Sequence, residues 1–215
     1  MQWPFPKLHD GPSKMVHAPL DASVLESLAL TLDRWVRAEA FEFVNLPWLV
    51  PQRYLDATKP LHLGAAPDIA TPFGSVVASG EQAFLQMWEE GRLLSDQGYI
   101  GWTPCVRQEP VFDELHHYYF VKAELFCVPT DDPRIAVERM VCGSHTWFCE
   151  LLHKLGRSRG HRLEVSRIDD TQTDVLLNGV EIGSYGMRLV NGQAVVFGTA
   201  LAEPRFTTAC TKRSR

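Results

Sequence analysis

The sequence predicts an α+β domain whose mainly antiparallel sheet is flanked by helices, and three observations predict it. Strand-like segments at 100–108 and 118–128 are joined by one short polar stretch, and strands so linked pair antiparallel because a parallel crossover needs a dozen or more residues. Stretches with a 3.6-residue apolar period lie between and around the strands. Neither Gly-x-x-x-x-Gly-Lys-Ser/Thr nor Gly-x-Gly-x-x-Gly occurs, so a nucleotide would have to be gripped by side chains rather than by a helix N-terminus. At 215 residues, 45% of them hydrophobic, the chain is long enough to bury one full core.

Residues 1–20, with Pro4, Pro6 and Pro12 and no periodicity, read as an N-terminal arm, which leaves 21–215 as one domain. A helix is expected after Asp21 or Ser23, both good N-caps, with Leu25, Leu28, Leu32, Trp35 and Val36 on one face to about Ala40. Phe41 to Leu46 alternates and stops at Pro47, which has no N–H to give a ladder. The segment 50–75, punctuated by Pro51, Pro60, Pro67 and Pro72, reads as an ordered loop. A second helix over 82–94 leads through the turn at Gln97-Gly98 into the long hairpin. Val137, Met140, Val141, Phe148, Leu151 and Leu152 give a helix over 135–155 that ends at Gly156. Strands over 162–167, 175–183 and 193–198 follow, then a short helix from about Leu201, and the basic end Lys212-Arg213-Ser214-Arg215 reads as a solvated tail.

Lys and Arg number 21 against 26 Asp and Glu, a formal charge of -5, so no chain-wide basic field exists to hold a polyanion. The longest apolar runs, such as 194–197, fall far short of the ~20 residues that span a bilayer, and the first 14 residues lack a signal-peptide core. A soluble, cytoplasmic protein without a membrane partner is expected. Cys105, Cys127, Cys142, Cys149 and Cys210 are odd in number and form no C-x-x-C pair, so they are expected to be reduced and mostly buried. Cys142 and Cys149 are read as core residues rather than metal ligands.

The hairpin carries the most chemistry. On a strand, Arg107 and Glu109 face the same way, and so do Phe120, Lys122 and Glu124 on the return. Such a face is either solvated and laced with ion pairs or a ligand site, since an Arg fork suits a phosphate and a Phe face suits a planar base.

This pattern, Arg107-x-Glu109, a loop, then Phe120-x-Lys122-x-Glu124-Leu-Phe, resembles motif 2 of class II aminoacyl-tRNA synthetases, and 120–126 is especially similar to the seryl-tRNA synthetase branch. Phe41-Glu-Phe-Val-Asn-Leu-Pro47 resembles motif 1, the dimer element of that family, and Gly198-Thr-Ala-Leu-Ala-Glu-Pro-Arg205-Phe resembles motif 3. Ala78-Ser79-Gly80-Glu81-Gln82 resembles the Thr-x-Glu loop that reads an amino group, and Asn178-Gly-Val-Glu181-Ile-Gly-Ser184-Tyr-Gly186 is similar to the strand that holds metal and phosphate. The likeness extends over 24–209 in the family's motif order.

The resemblance implies the class II fold and a set of roles. Arg107 would bind the α-phosphate of ATP and the amino-acid carboxylate, and Glu109 the adenine amino group. Phe120 would stack under adenine, with Arg205 above it and reaching the γ-phosphate. Glu124 and Glu181 would hold Mg²⁺, while Glu81, Lys122 and Ser184 would line the amino-acid site. Arg107 and Arg205 are then the catalytic pair. Each role suits its residue: guanidinium forks hold phosphates and stack on bases, and magnesium bridging ATP takes one or two protein carboxylates. His116 and His117, in the loop, stand open between phosphate contact and solvation.

Three departures shape the expected function. With the motifs spread over the chain, a coiled-coil arm and an anticodon module are expected to be absent. Only ten residues separate Glu109 from Phe120, a short loop for reaching a tRNA end, and Glu203-Pro204 puts a carboxylate just before Arg205. The expectation is a homodimer that uses ATP and Mg²⁺ to activate a small amino acid as its adenylate. The adenylate would pass to a carrier protein or small molecule. The alternatives are a truncated enzyme acting on tRNA with a partner subunit and a non-catalytic paralogue that senses a ligand. Some relatives use a Cys/Glu/Cys zinc site; Glu81 sits where its first cysteine would be, so no zinc is expected.

Overall fold

A computed structural model of the chain describes residues 22–58, 69–107, 113–157 and 159–212. In chain order these form α1 (Ala22–Ala38), β1 (Glu42–Phe43), β2 (Leu49–Val50), α2 (Gln52–Thr58), β3 (Ala70–Thr71), β4 (Gly74–Val76) and α3 (Gly80–Glu89). There follow β5 (Tyr99–Val106), β6 (Tyr119–Cys127), α4 (Pro133–Lys154), β7 (Leu163–Arg167), β8 (Gln172–Leu177), β9 (Val180–Val190), β10 (Gln193–Glu203) and α5 (Arg205–Thr211). A seven-stranded sheet runs β1-β5-β6-β10-β9-β8-β7, and β2-β4-β3 form a small second sheet. Every pairing in the large sheet is antiparallel except that of β1, which lies parallel to β5 with Glu42 opposite Tyr99. The long connection between β1 and β5, holding α2, the small sheet and α3, is what makes that parallel contact possible.

Both faces of the sheet are covered, and the period of two sorts its residues. Leu125 and Val196 join α1, α4 and α5 around Trp35, Met140, Trp147, Phe148 and Phe206, whereas their neighbours Phe126 and Val195 join Tyr54, Phe84 and Leu85 from α2 and α3. Phe84 stacks on Phe126 at 5.1 Å between ring centroids and Phe148 on Phe206 at 5.8 Å, one aromatic pair in each layer.

The antiparallel α+β prediction and the main hairpin hold; several details change. The inner face of α1 is Ser27, Leu28, Thr31 and Trp35, because the Trp147 indole N–H donates to Thr31 Oγ1 (3.0 Å) and turns that side inward. Leu25 and Val36 are consequently 47% and 39% exposed. Only Glu42 and Phe43 of 41–46 pair as a strand. Within 50–75 the expected loop holds α2 and the small sheet, with residues 59–68 outside the described segments. Helix α3 ends at Glu89, short of the expected 94, with Gly91 at φ +68° just beyond. Helix α4 starts at Pro133, since Asp132 caps it by accepting from the Arg134 amide (3.1 Å) and Pro suits the first turn.

The expected strand at 175–183 is two strands. Asn178 (φ +53°) and Gly179 (φ +78°) form a tight turn between β8 and β9, and Asn191 and Gly192 repeat it between β9 and β10. Paired left-handed residues match the right-handed twist of the flanking strands, which is why Asn-Gly marks hairpins. Strand β10 continues to Glu203, so α5 begins at Arg205 rather than Leu201. Cys105 and Cys127 are buried, but Cys142 and Cys149 lie exposed on the outer side of α4, so the expectation of mostly buried cysteines and of a core role for that pair is corrected. All five are free. No helix among the described residues is long and apolar enough to cross a membrane. The arm at 1–20 and the tail at 213–215 lie outside the described residues.

Candidate active site

The sheet face beneath α3 collects the charged residues. From β6 it receives Phe120, Lys122 and Glu124, opposite Cys105, Thr103 and Gly101 of β5. From β10 it receives Thr199, opposite Glu124, and from β9 Arg188, Gly186 and Ser184. Ser184 and Glu181 are three apart, a spacing that in a regular strand puts them on opposite faces. A register shift opposite Val175 and Leu176 admits one extra residue into β9 and sets Glu181 opposite Leu176, on the side of Asp174 and Ser184.

Glu124 is the most enclosed of these groups, 4% exposed. Its Oε1 accepts from Lys122 Nζ (2.6 Å) and Ser79 Oγ (2.5 Å), and its Oε2 accepts from the Gly80 amide at the first turn of α3. A Cβ on Gly80 would lie 2.7 Å from Glu124 Oε2 and 3.1 Å from Leu46, so the approach of helix to carboxylate requires glycine here. The loop is held from two more sides: Arg107 Nε donates to the Ala78 carbonyl (2.9 Å), and Gln82 Oε1 accepts from the Ala78 and Ser79 amides (2.8 and 3.1 Å). The Arg107 guanidinium also lies 5.1 Å from the centre of the Phe120 ring, a cation–π contact on the face expected to carry adenine. Burial and the Glu124 charge push the Cys105 thiol up to about 12, which leaves it inert.

Glu81, the next residue of the loop, meets Arg188, with Nε 2.8 Å from Oε1 and Nη2 3.3 Å from Oε2. The same guanidinium stacks 4.7 Å from the Phe197 ring centre. Burial pushes the Glu81 carboxyl up to about 7, with the Glu124 charge adding to the rise and Arg188 opposing it. Sequence reasoning missed Arg188; its signal was the even spacing from Ser184 along one strand.

Beyond the end of β10, Arg205, the first residue of α5, pairs with Glu181 (3.2 Å) and donates to the Leu115 carbonyl (3.4 Å). Ser184 Oγ accepts from Gln172 (3.1 Å), and Asp174 is raised by burial, partly offset by its hydrogen bond from Ser184. Glu203 is 3% exposed and accepts from the Thr207 amide (3.0 Å) and hydroxyl (3.1 Å), so its charge is directed at the first turn of α5. His116 pairs with Asp113 (2.9 Å) on the exposed loop.

The structure thus brings Arg107, Phe120, Lys122, Glu124, Glu81, Ser184, Glu181 and Arg205 onto one face, while Glu109 lies outside the described residues. Two expectations change. Glu124 has both oxygens engaged by protein donors and does not fit as a magnesium ligand, and Lys122 is spent on Glu124 rather than on an amino acid. Glu181, its side chain 44% exposed, fits as a single carboxylate ligand. Among the described residues no group of three or more His, Cys, Asp or Glu is placed to hold a metal ion.

Compared by sequence, the chain matches no protein-family model and no curated protein. Compared by structure, it matches two pyrrolysyl-tRNA synthetase structures from Desulfitobacterium hafniense at TM-scores of 0.63 and 0.64, each with 15% identity, covering 86% and 90% of this chain and 68% and 71% of those. It also matches seryl-tRNA synthetase from Pyrococcus horikoshii, complexed with ATP (TM-score 0.61, 16% identity, 88% of this chain), and cytoplasmic serine-tRNA ligase from Naegleria fowleri, in complex with AMP (0.63, 15%, 89%). This chain spans 51% and 48% of the length of those last two. The chain therefore has the class II aminoacyl-tRNA synthetase-like fold.

Proposed function

We propose that this protein activates a small amino acid with ATP, forming an aminoacyl-adenylate and pyrophosphate. The observation that carries the reading is the placement of Arg107 over Phe120 on β5 and β6 and of Arg205 beside Glu181 where β10 and β9 reach the same strand ends, with Arg205 donating to the Leu115 carbonyl of the hairpin loop. In this reaction a carboxylate oxygen of the amino acid bonds to the α-phosphorus while the bond to the pyrophosphate oxygen breaks. No nucleophilic side chain is needed; the protein aligns the two reactants and balances charge that develops in line. Arg107 supplies a bidentate donor to the α-phosphate and carboxylate, Phe120 a platform for adenine, and Arg205 a charge for the distal phosphates. Glu109 is assigned the adenine amino group by resemblance. Mg²⁺, when bound, neutralises phosphate oxygens, and Glu181 would hold it. Glu81 would read the substrate ammonium by exchanging it for Arg188, and Ser184 would offer a hydroxyl.

We propose further that the adenylate passes to a carrier protein or small molecule, because the loop between Glu109 and Phe120 is short. A two-fold dimer contact through α1 and β1 is supported by the exposure of Leu25, Val36 and Phe43. One observation favours a second reading, a ligand-sensing paralogue: Glu81 and Arg188, and Glu181 and Arg205, already neutralise each other. Pyrophosphate exchange assayed with each of the twenty amino acids separates the two. Exchange dependent on one or a few small amino acids is expected, and ATP binding without exchange for any of them would favour the sensor.

A further inference from the structure

We infer that Glu124 is a positioning residue that seats the amino-acid loop on the ATP hairpin, and that Lys122 serves it. The inference rests on the activation reading for what the loop does, and on the structure for how the loop is held.

Three elements converge on 78–82. Strand β6 offers the Glu124 carboxylate to the Ser79 hydroxyl and Gly80 amide, the end of β5 offers Arg107 to the Ala78 carbonyl, and α2 offers Thr58, whose hydroxyl accepts from Gln82 Nε2 (2.9 Å). Ser79 and Gln82 form the capping box at the start of α3. The Ser79 hydroxyl also donates to Glu124, and the carboxylate accepts from the Gly80 amide, one of the donors that an α-helix leaves without a partner. A carboxylate buried among three donors is compensated in place, and Lys122 supplies the matching positive charge. Glu81 follows directly in the chain, so the direction of its carboxylate toward Arg188 is set by where Gly80 sits. Arg107 also reaches this loop at the Ala78 carbonyl, but its backbone is held by the Tyr118 carbonyl and its guanidinium lies over Phe120, so its place does not depend on Glu124.

The consequence is a separation of effects. Glu124→Gln keeps shape and one acceptor oxygen but presents an amide N–H₂ to donors, so the loop loses its seat while Arg107, Phe120 and Glu181 keep theirs. In pyrophosphate exchange, Glu124→Gln should raise the amino-acid KM by roughly tenfold or more and leave the ATP KM and the half-saturating Mg²⁺ concentration within about threefold. Ser79→Ala should move the amino-acid KM in the same direction by less. Amide hydrogen exchange over 77–82 in Glu124→Gln should quicken by about tenfold relative to the parent, measured without substrates. A tenfold shift in Mg²⁺ requirement with an unchanged amino-acid KM would make Glu124 a metal ligand and overturn the inference. Unchanged amide exchange at 77–82 would overturn it as well. A parent that shows no pyrophosphate exchange would overturn the activation reading, and the amide measurement would still decide how the loop is held.

Discussion

Glu124 and Glu181 present the same chemical group on the same face of one sheet, yet the protein spends them differently. Glu124 is closed in by Lys122, Ser79 and Gly80, whereas Glu181 stands half exposed with a single guanidinium partner, Arg205, that reaches it at 3.2 Å. A buried carboxylate with every oxygen engaged cannot release its donors without leaving charges stranded, and so it acts as structure. An exposed pair loses little on separation and can exchange partners with a ligand. The lesson is that acidity on a site face does not identify a metal ligand; the state of its lone pairs does.

The largest effect is expected at Arg107. Under the proposed role Arg107→Ala would remove a fork from the α-phosphate along with the donor to the Ala78 carbonyl, and should abolish pyrophosphate exchange, a loss of about 10³-fold or more, with Arg107→Lys restoring little because a point charge cannot replace the fork. Next, Glu124→Ala should cost about 3–5 kcal/mol in urea unfolding, whereas Glu181→Ala should cost less than about 1 kcal/mol and show itself in ATP binding. Equal costs would erase the comparison. Gly80→Ala, whose Cβ would meet Glu124 and Leu46, should cost about 1–3 kcal/mol, relieved when Glu124 is shortened to Asp.

A change of pH sharpens the closed side. The Glu81 carboxyl is raised to about 7 from an ordinary 4.5, so folding takes up a proton between those values. Its contribution to stability is whole below about 4.5 and is lost as pH rises through 7. Unfolding free energies of the parent minus those of Glu81→Gln should therefore fall from pH 4.5 to 7 and level off above it. A difference that rises over that window would mean that the Arg188 pair outweighs burial.

Much of this was legible in the sequence. The alternation of 118–128 marked the charged hairpin face, and the order of the motifs along the chain pointed to the class II-like fold. What escaped notice depended on contacts between segments distant in the chain. Glu124 carries the same side chain whether it faces a metal or a helix start, and only the folded approach of Gly80, 44 residues away, decides between them. The three-residue spacing of Glu181 and Ser184 concealed an extra residue in β9 that strand periodicity cannot express. Arg188 looked like a strand-surface charge until α3 brought Glu81 to it. Asn178-Gly179 is itself a hairpin-turn signal, but the apolar residues on both sides of it, Val175 to Leu177 before and Val180 and Ile182 after, read as one continuous strand.

Attack at the α-phosphorus leaves a bound product that can be identified. Protein incubated with ATP, Mg²⁺ and a mixture of the twenty amino acids, then denatured and examined by mass spectrometry, should yield pyrophosphate and one aminoacyl-adenylate, close to one per chain, absent from Arg107→Ala. Release of ADP and phosphate in place of pyrophosphate, or an ATP pool left intact under every amino acid, would contradict it.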